Sequence, residues 1–216
     1  MIYISIITYL LFIIYKYELN GSPRGFYKYH IFFTYLILAL VAGLRYRLGS
    51  DAYYYEFFIN NSAVSILEID GNYLINSMYQ PGWLLICSIA KYLGHYLYLQ
   101  IFVAFVSVFS VYFFLKKNTS YVASSTLFFF IAFYHYFSVE ILREALAISL
   151  FLGAITVYEN RKNLSLVLCL ASLLFHKFAI FTILIYFFLR LNLGIKGFIF
   201  IMSAIILTIA YFEDPL

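Results

Sequence analysis

Pro81-Gly82-Trp83-Leu84-Leu85-Ile86-Cys87-Ser88-Ile89-Ala90-Lys91-Tyr92-Leu93-Gly94 is the stretch on which the topology turns. Its apolar core, Trp83 to Ala90, is too short to span ~30 Å of hydrocarbon. If it crosses nevertheless, every later loop changes side. Longer apolar runs flank it. Ile2–Tyr15 and Tyr29–Leu44 come before; Leu97–Leu115, Tyr121–Ser138, Ile141–Tyr158, Leu164–Phe175, Phe178–Leu189 and Phe198–Phe212 come after. With 81–94 on the surface, Lys16, Arg24, Lys28, Lys116, Lys117, Arg161, Lys162, Arg190 and Lys196 share one side, and Arg45, Arg47, Lys91, Arg143 and Lys177 the other. With 81–94 crossing, the Lys116-Lys117 and Arg161-Lys162 pairs land outside. Cytoplasmic loops hold the excess of Lys and Arg. The stretch is therefore expected to be a juxtamembrane or re-entrant helix, and the chain to have about eight transmembrane helices. The first run starts at Met1 without a basic leader or cleavage signal, so it is expected to be a retained span.

Composition requires lipid as the solvent. The 216 residues are 65% hydrophobic and 11% charged, against about 25% charged in soluble domains. The apolar runs are continuous and do not alternate, which excludes a β-barrel. The fold expected is all-α: a polytopic membrane helix bundle forming one transmembrane domain over 1–216, with 45–95 a long extracytoplasmic connection. Aromatic residues make up 23%, more than two interfacial belts need, so rings must also pack between helices. A formal charge of +4 fits cytoplasmic loops and argues against nucleic acid. Cys87 and Cys169 fall in apolar runs and read as free buried thiols. No metal-ligand spacing is present, and no cofactor is expected.

The chain's chemistry concentrates in Gly43-Leu44-Arg45-Tyr46-Arg47-Leu48-Gly49-Ser50-Asp51-Ala52-Tyr53-Tyr54-Tyr55-Glu56. It leaves an apolar run and at once places two guanidiniums, a Gly-Ser step, a carboxylate and three tyrosines. Arginine is costly near hydrocarbon, and its planar fork suits phosphate. Arg45 and Arg47 either hold the charged head of a lipid-linked substrate or snorkel as interfacial anchors. Asp51 is a general base, a hydroxyl acceptor or an N-cap for a helix over 52–59. The tyrosines, Tyr55 among them, stack on sugar faces or belong to the aromatic belt.

Arg143 lies just inside an apolar run. Glu140, three residues earlier, would share its helix face and either join it at a site or neutralise it as a structural ion pair. His176 ends the run before Lys177. Leu164–Phe175 and Phe178–Leu189 hold about a dozen residues each, ~18 Å of helix. The His176-Lys177 turn is therefore expected to be recessed, in a basic, tyrosine-rich hollow on the outer face.

These motifs resemble the EpsG family of bacterial exopolysaccharide proteins. Gly49-Ser50-Asp51 after an Arg and before Tyr resembles its first signature, and Pro81-Gly82-Trp83 its Pro-Gly-aromatic helix start. Arg143-Glu144-Ala145-Leu146-Ala147 resembles its Ile-Arg-Gln-x-x-Ala motif, and His176 the His ending its Ala- and Leu-rich helix. Two departures stand out: Glu144 replaces the usual Gln, and the chain stops at Leu216 where family members run longer, as a fragment or short variant would.

The resemblance implies a Wzy-like polymerase of GT-C-like architecture in the bacterial inner membrane. Such a protein joins oligosaccharide repeat units carried on undecaprenyl pyrophosphate at the outer face, beside other polysaccharide-assembly proteins. Arg45, Arg47, Arg143 and Lys177 would bind the donor pyrophosphate, while Asp51 or His176 orients or deprotonates the acceptor hydroxyl. A lipid-linked saccharide flippase, a non-catalytic accessory subunit and a sugar O-acyltransferase remain the alternatives.

Overall fold

The computed structural model describes residues 1–23, 25–45, 49, 52–191, 194–195, 197, 199 and 203. The expected segments from Ile2 to Leu189 are helices; Phe198–Phe212 lies outside the described residues apart from isolated positions. The order is α1 (Ile2–Ile13) running on as wide π turns over Ile14–Leu19, α2 (Tyr27–Gly43), α3 (Ala52–Asn61), α4 (Gly71–Asn76), α5 (Pro81–Tyr92) and α6 (Tyr96–Asn118). Then come α7 (Val122–Phe129), which continues as π turns over Phe130–Tyr134 and Tyr136–Glu140, α8 (Leu142–Val157), α9 (Lys162–Ala171) with a 3₁₀ turn Ser172–Leu174, and α10 (Ala179–Leu191). By length and composition, Ile2–Leu19 and Tyr96–Asn118 suffice to cross a membrane; Tyr27–Gly43, Val122–Tyr134, Lys162–Leu174 and Ala179–Leu189 are apolar but shorter.

α6 is the central post, packed along α2 and α8. Its small buried residues Ala104 and Ser107 let neighbouring backbones approach, as in membrane helix pairs generally. At its start a Cβ on Gly43 would stand 3.3 Å from Ile101 Cα. At its end Lys117 pairs with Glu159 at 2.8 Å and donates to Thr156 O. Glu18 marks the same end: its carboxylate accepts from Ala123 N (2.7 Å) and Ser124 N (3.1 Å), capping α7 from another helix. Lys16, Lys28, Lys116, Lys117, Arg161 and Lys162 therefore gather at one end of the bundle.

The other end holds the connection. α5 lies beside α3: Trp83 packs its ring on Tyr55 at 4.9 Å, and Lys91 Nζ donates to Asn60 O at 2.6 Å. Gly94 (φ +85) turns the chain, and His95 caps α6 through Leu97 N. Trp83 near the start of α5 and Lys91 near its end thus both contact α3. Cys87 and Cys169 are free and buried.

Candidate functional site

Four separate stretches meet at the α6-start end. Arg45 is buried, at 7% exposure. Its guanidinium donates to Ala42 O, to Ser138 O at 2.9 Å and to Val139 O at 2.7 Å. The fork therefore fastens the end of α2 to the π turns before α8. Gln100, 1% exposed, donates from Nε2 to Gly43 O (2.7 Å) and Arg45 O (2.5 Å), fixing the same loop from α6. Gly49 completes the joint. Its φ of +104° needs glycine, and a Cβ there would stand 2.6 Å from Val139 O.

The π turns end at Ile141 (φ −100°, ψ 59°), and α8 restarts at Leu142 with no side-chain cap. This break corrects the expected pairing of Glu140 with Arg143. The two do not share a helix face, and Glu140 instead faces His135 at 3.4 Å. Arg143 sits in the first turn of α8, where a cation opposes the helix dipole. Its guanidinium lies 4.8 Å above the Tyr79 ring, and its Nε donates to Tyr55 Oη at 3.1 Å. Tyr55 is held edge-on by Trp83, and Tyr79 by Phe58 and by its own hydroxyl bond to Tyr54 at 2.8 Å. The ring contact and the Nε bond hold the guanidinium beside a small hollow walled by Tyr55, Ile141, Arg143, Glu144 and His176.

His176 reaches this hollow from the turn after α9. A Cβ on Gly82 would stand 2.7 Å from Leu174 O, so glycine at the start of α5 is what lets this turn seat. Phe178 N donates to His176 Nδ1 at 3.3 Å, and Nε2 lies 3.4 Å from Glu144 Oε1. With Nδ1 accepting, the neutral ring places its proton on Nε2, facing Glu144. Burial lowers the His176 pKa; Glu144 pulls it back up, while Arg143 and Lys177 push it down. Lys177 is exposed, its Nζ 5.6 Å from the Phe178 ring centre.

Of the expected residues, Tyr55, Arg143 and His176 converge and Lys177 borders them. Arg45 is engaged by backbone carbonyls and Glu140 faces His135; Arg47 and Asp51 lie outside the described residues. Sequence reasoning did not single out Tyr79 or Gln100 as parts of the site, and it grouped Glu144 with Arg143 and His176 at one membrane face without giving it a role. A lone loop tyrosine and a glutamine in an apolar helix give no spacing signal, whereas Glu144 was marked by its departure from the motif.

Beside the hollow, a cavity of about 800 Å3 runs between α6, α7 with its π turns, and α8. Leu115 and Ser124 line its far end, Phe128 and Phe137 its flank, and Ile141 and Ile148 the end near Arg143. Ile141 walls both spaces.

A search of the curated proteins and of the solved structures finds no match. The family model of the EpsG family matches residues 28–215, which include all four of these stretches. The chain belongs to the EpsG family, membrane proteins of exopolysaccharide biosynthesis.

Proposed function

We propose that the protein is a multi-pass inner-membrane polymerase, a hexosyl-type glycosyltransferase of GT-C-like architecture with about eight spans. In this reading it joins repeat units carried on undecaprenyl pyrophosphate, and its hollow faces the extracytoplasmic side. The observation that supports it most is the Arg143 guanidinium at the wall of the hollow, held there by the Tyr79 ring and the Tyr55 hydroxyl. A fixed guanidinium edge suits the paired oxygens of a pyrophosphate. The uncapped first turn of α8 adds N–H donors and the positive end of its dipole. The apolar cavity that shares Ile141 with the hollow offers the isoprenoid chain a place. The basic loops at the opposite end agree with that orientation.

In the reaction the anomeric C–O bond to the pyrophosphate breaks and the leaving group keeps the electron pair. Arg143, with Lys177 beside it, stabilises that developing charge. The acceptor hydroxyl attacks the same carbon. His176, whose Nδ1 is already engaged, orients groups as a donor, and Asp51, with Arg47 beside it in the chain, takes the proton. Arg45 acts by holding the α2 end against the π turns. The charged groups among the described residues lie at the two ends of the bundle and not at mid-depth, which favours a polymerase over a flippase.

Arg143→Lys keeps the charge and loses the fork. It should shorten the polymer made in cells sharply, and Arg143→Ala should abolish it. Normal polymer length in both variants refutes the reading.

A further inference from the structure

We propose that the cavity between α8 and α10 is a subsite for one sugar ring of the acceptor, and that Glu144 makes it select neutral or amino sugars over uronates. The inference rests on the reading of the hollow as a glycosyl-transfer site. The cavity measures about 170 Å3, the share of liquid volume of about six waters at ~30 Å3 each. That is the space of a single pyranose. Glu144 and His176 line both it and the Arg143 hollow, so a ring seated here borders the place of the pyrophosphate.

The lining matches a sugar. Ala147 and Ala179 leave room at the floor, and Ile148 gives one apolar wall. Phe178, 56% exposed, adds an aromatic wall beside His176 at 5.3 Å, of a kind that packs on the apolar parts of a pyranose. The polar groups mostly accept. Thr182 Oγ1 spends its hydrogen on Ala179 O at 2.7 Å, which leaves its lone pairs. Glu144 has one oxygen near His176 Nε2, and its side chain is 34% exposed, so it retains acceptor sites for hydroxyls. A carboxylate ligand would meet one donor, the His176 Nε2–H that already faces Glu144, and a like charge on Glu144. Arg143 and Lys177 do not line this cavity.

The test uses the full chain in proteoliposomes with an isoprenoid-pyrophosphate-linked donor and two acceptors, one ending in a neutral hexose and one in a uronate. The wild type should prefer the neutral acceptor in kcat/KM by about tenfold or more, since two like charges a few Å apart repel strongly in a partly dry site. Glu144→Gln should bring the ratio close to one. An unchanged ratio in a folded Glu144→Gln protein overturns the proposal. Arg143→Lys should slow both acceptors equally; its failure to slow either counts against the polymerase reading alone. Saturation-transfer NMR with methyl glucoside and methyl glucuronide, without donor, reads the subsite independently of turnover. Transfer to the glucoside only, lost in Ala147→Trp, supports the proposal. Equal transfer to both glycosides, or none to the glucoside, overturns it.

Discussion

Gly82→Ala adds one methyl group at the place where α5 meets the turn that delivers His176. Its Cβ would stand 2.7 Å from Leu174 O, 2.9 Å from Leu174 Cβ and 3.1 Å from Leu174 C. Two of these atoms are backbone and cannot swing aside. Ordinary contact begins at 3.4 Å, so α5 and the turn must part by about 0.7 Å, the difference from 2.7 Å. Forcing a methyl into a packed joint costs about 1–3 kcal/mol. At roughly 2–4 °C per kcal/mol for a chain of this size, thermal unfolding in detergent should shift down by several degrees. The displacement also moves His176, only two residues from Leu174, against Glu144, now 3.4 Å away. Polymer length in cells should therefore fall more than the stability loss alone explains. Gly153→Ala is the control: its Cβ would meet Leu168 Cδ1 at 3.7 Å, an ordinary contact. If Gly82→Ala unfolds and polymerises as Gly153→Ala does, the seating argument is wrong.

Arg45→Lys should lower stability by about 2–3 kcal/mol, because an ammonium cannot span the Ala42, Ser138 and Val139 carbonyls and charged hydrogen bonds are worth about 1.5–3 kcal/mol each; detergent melting checks this. Gln100→Leu should cost about 1–3 kcal/mol by orphaning the Gly43 and Arg45 carbonyls, with the same readout. His176 titrates lower when folded than its unfolded value of about 6.5. The unfolded chain then binds more protons between the two pKa values, so the His176 contribution is whole above about 6.5 and is lost as pH falls toward the folded value. His176→Asn should flatten the melting temperature's slope across that window, and an unchanged slope refutes the assignment.

Much of the architecture is legible in residue order. The short apolar core of α5 marks it as unlike its neighbours, and the helix starting at Ala52 follows the Ser50-Asp51 step as expected. The break at Ile141 is not legible. A run of apolar residues looks the same through α-turns and π-turns, so Glu140 and Arg143 read as neighbours on one face. Nor does sequence distinguish the arginines. Cost in hydrocarbon says that each needs partners, but only the folded chain shows Arg45 bonded to backbone carbonyls and Arg143 set over Tyr79 at the hollow. The glycines of Gly49-Ser50-Asp51 and Pro81-Gly82-Trp83 look like turn residues. Their function is close approach, to Val139 and Leu174 respectively, and that depends on pairs about 90 residues apart.

The central claim is that the Nη edge of Arg143 grips a pyrophosphate. Its most direct test is the affinity of the purified protein for an isoprenoid pyrophosphate, compared with the monophosphate and repeated for Arg143→Lys. The wild type should favour the pyrophosphate, and the variant should lose about tenfold or more of that affinity, the worth of one charged hydrogen bond. Equal affinity of wild type and Arg143→Lys for the pyrophosphate would contradict it.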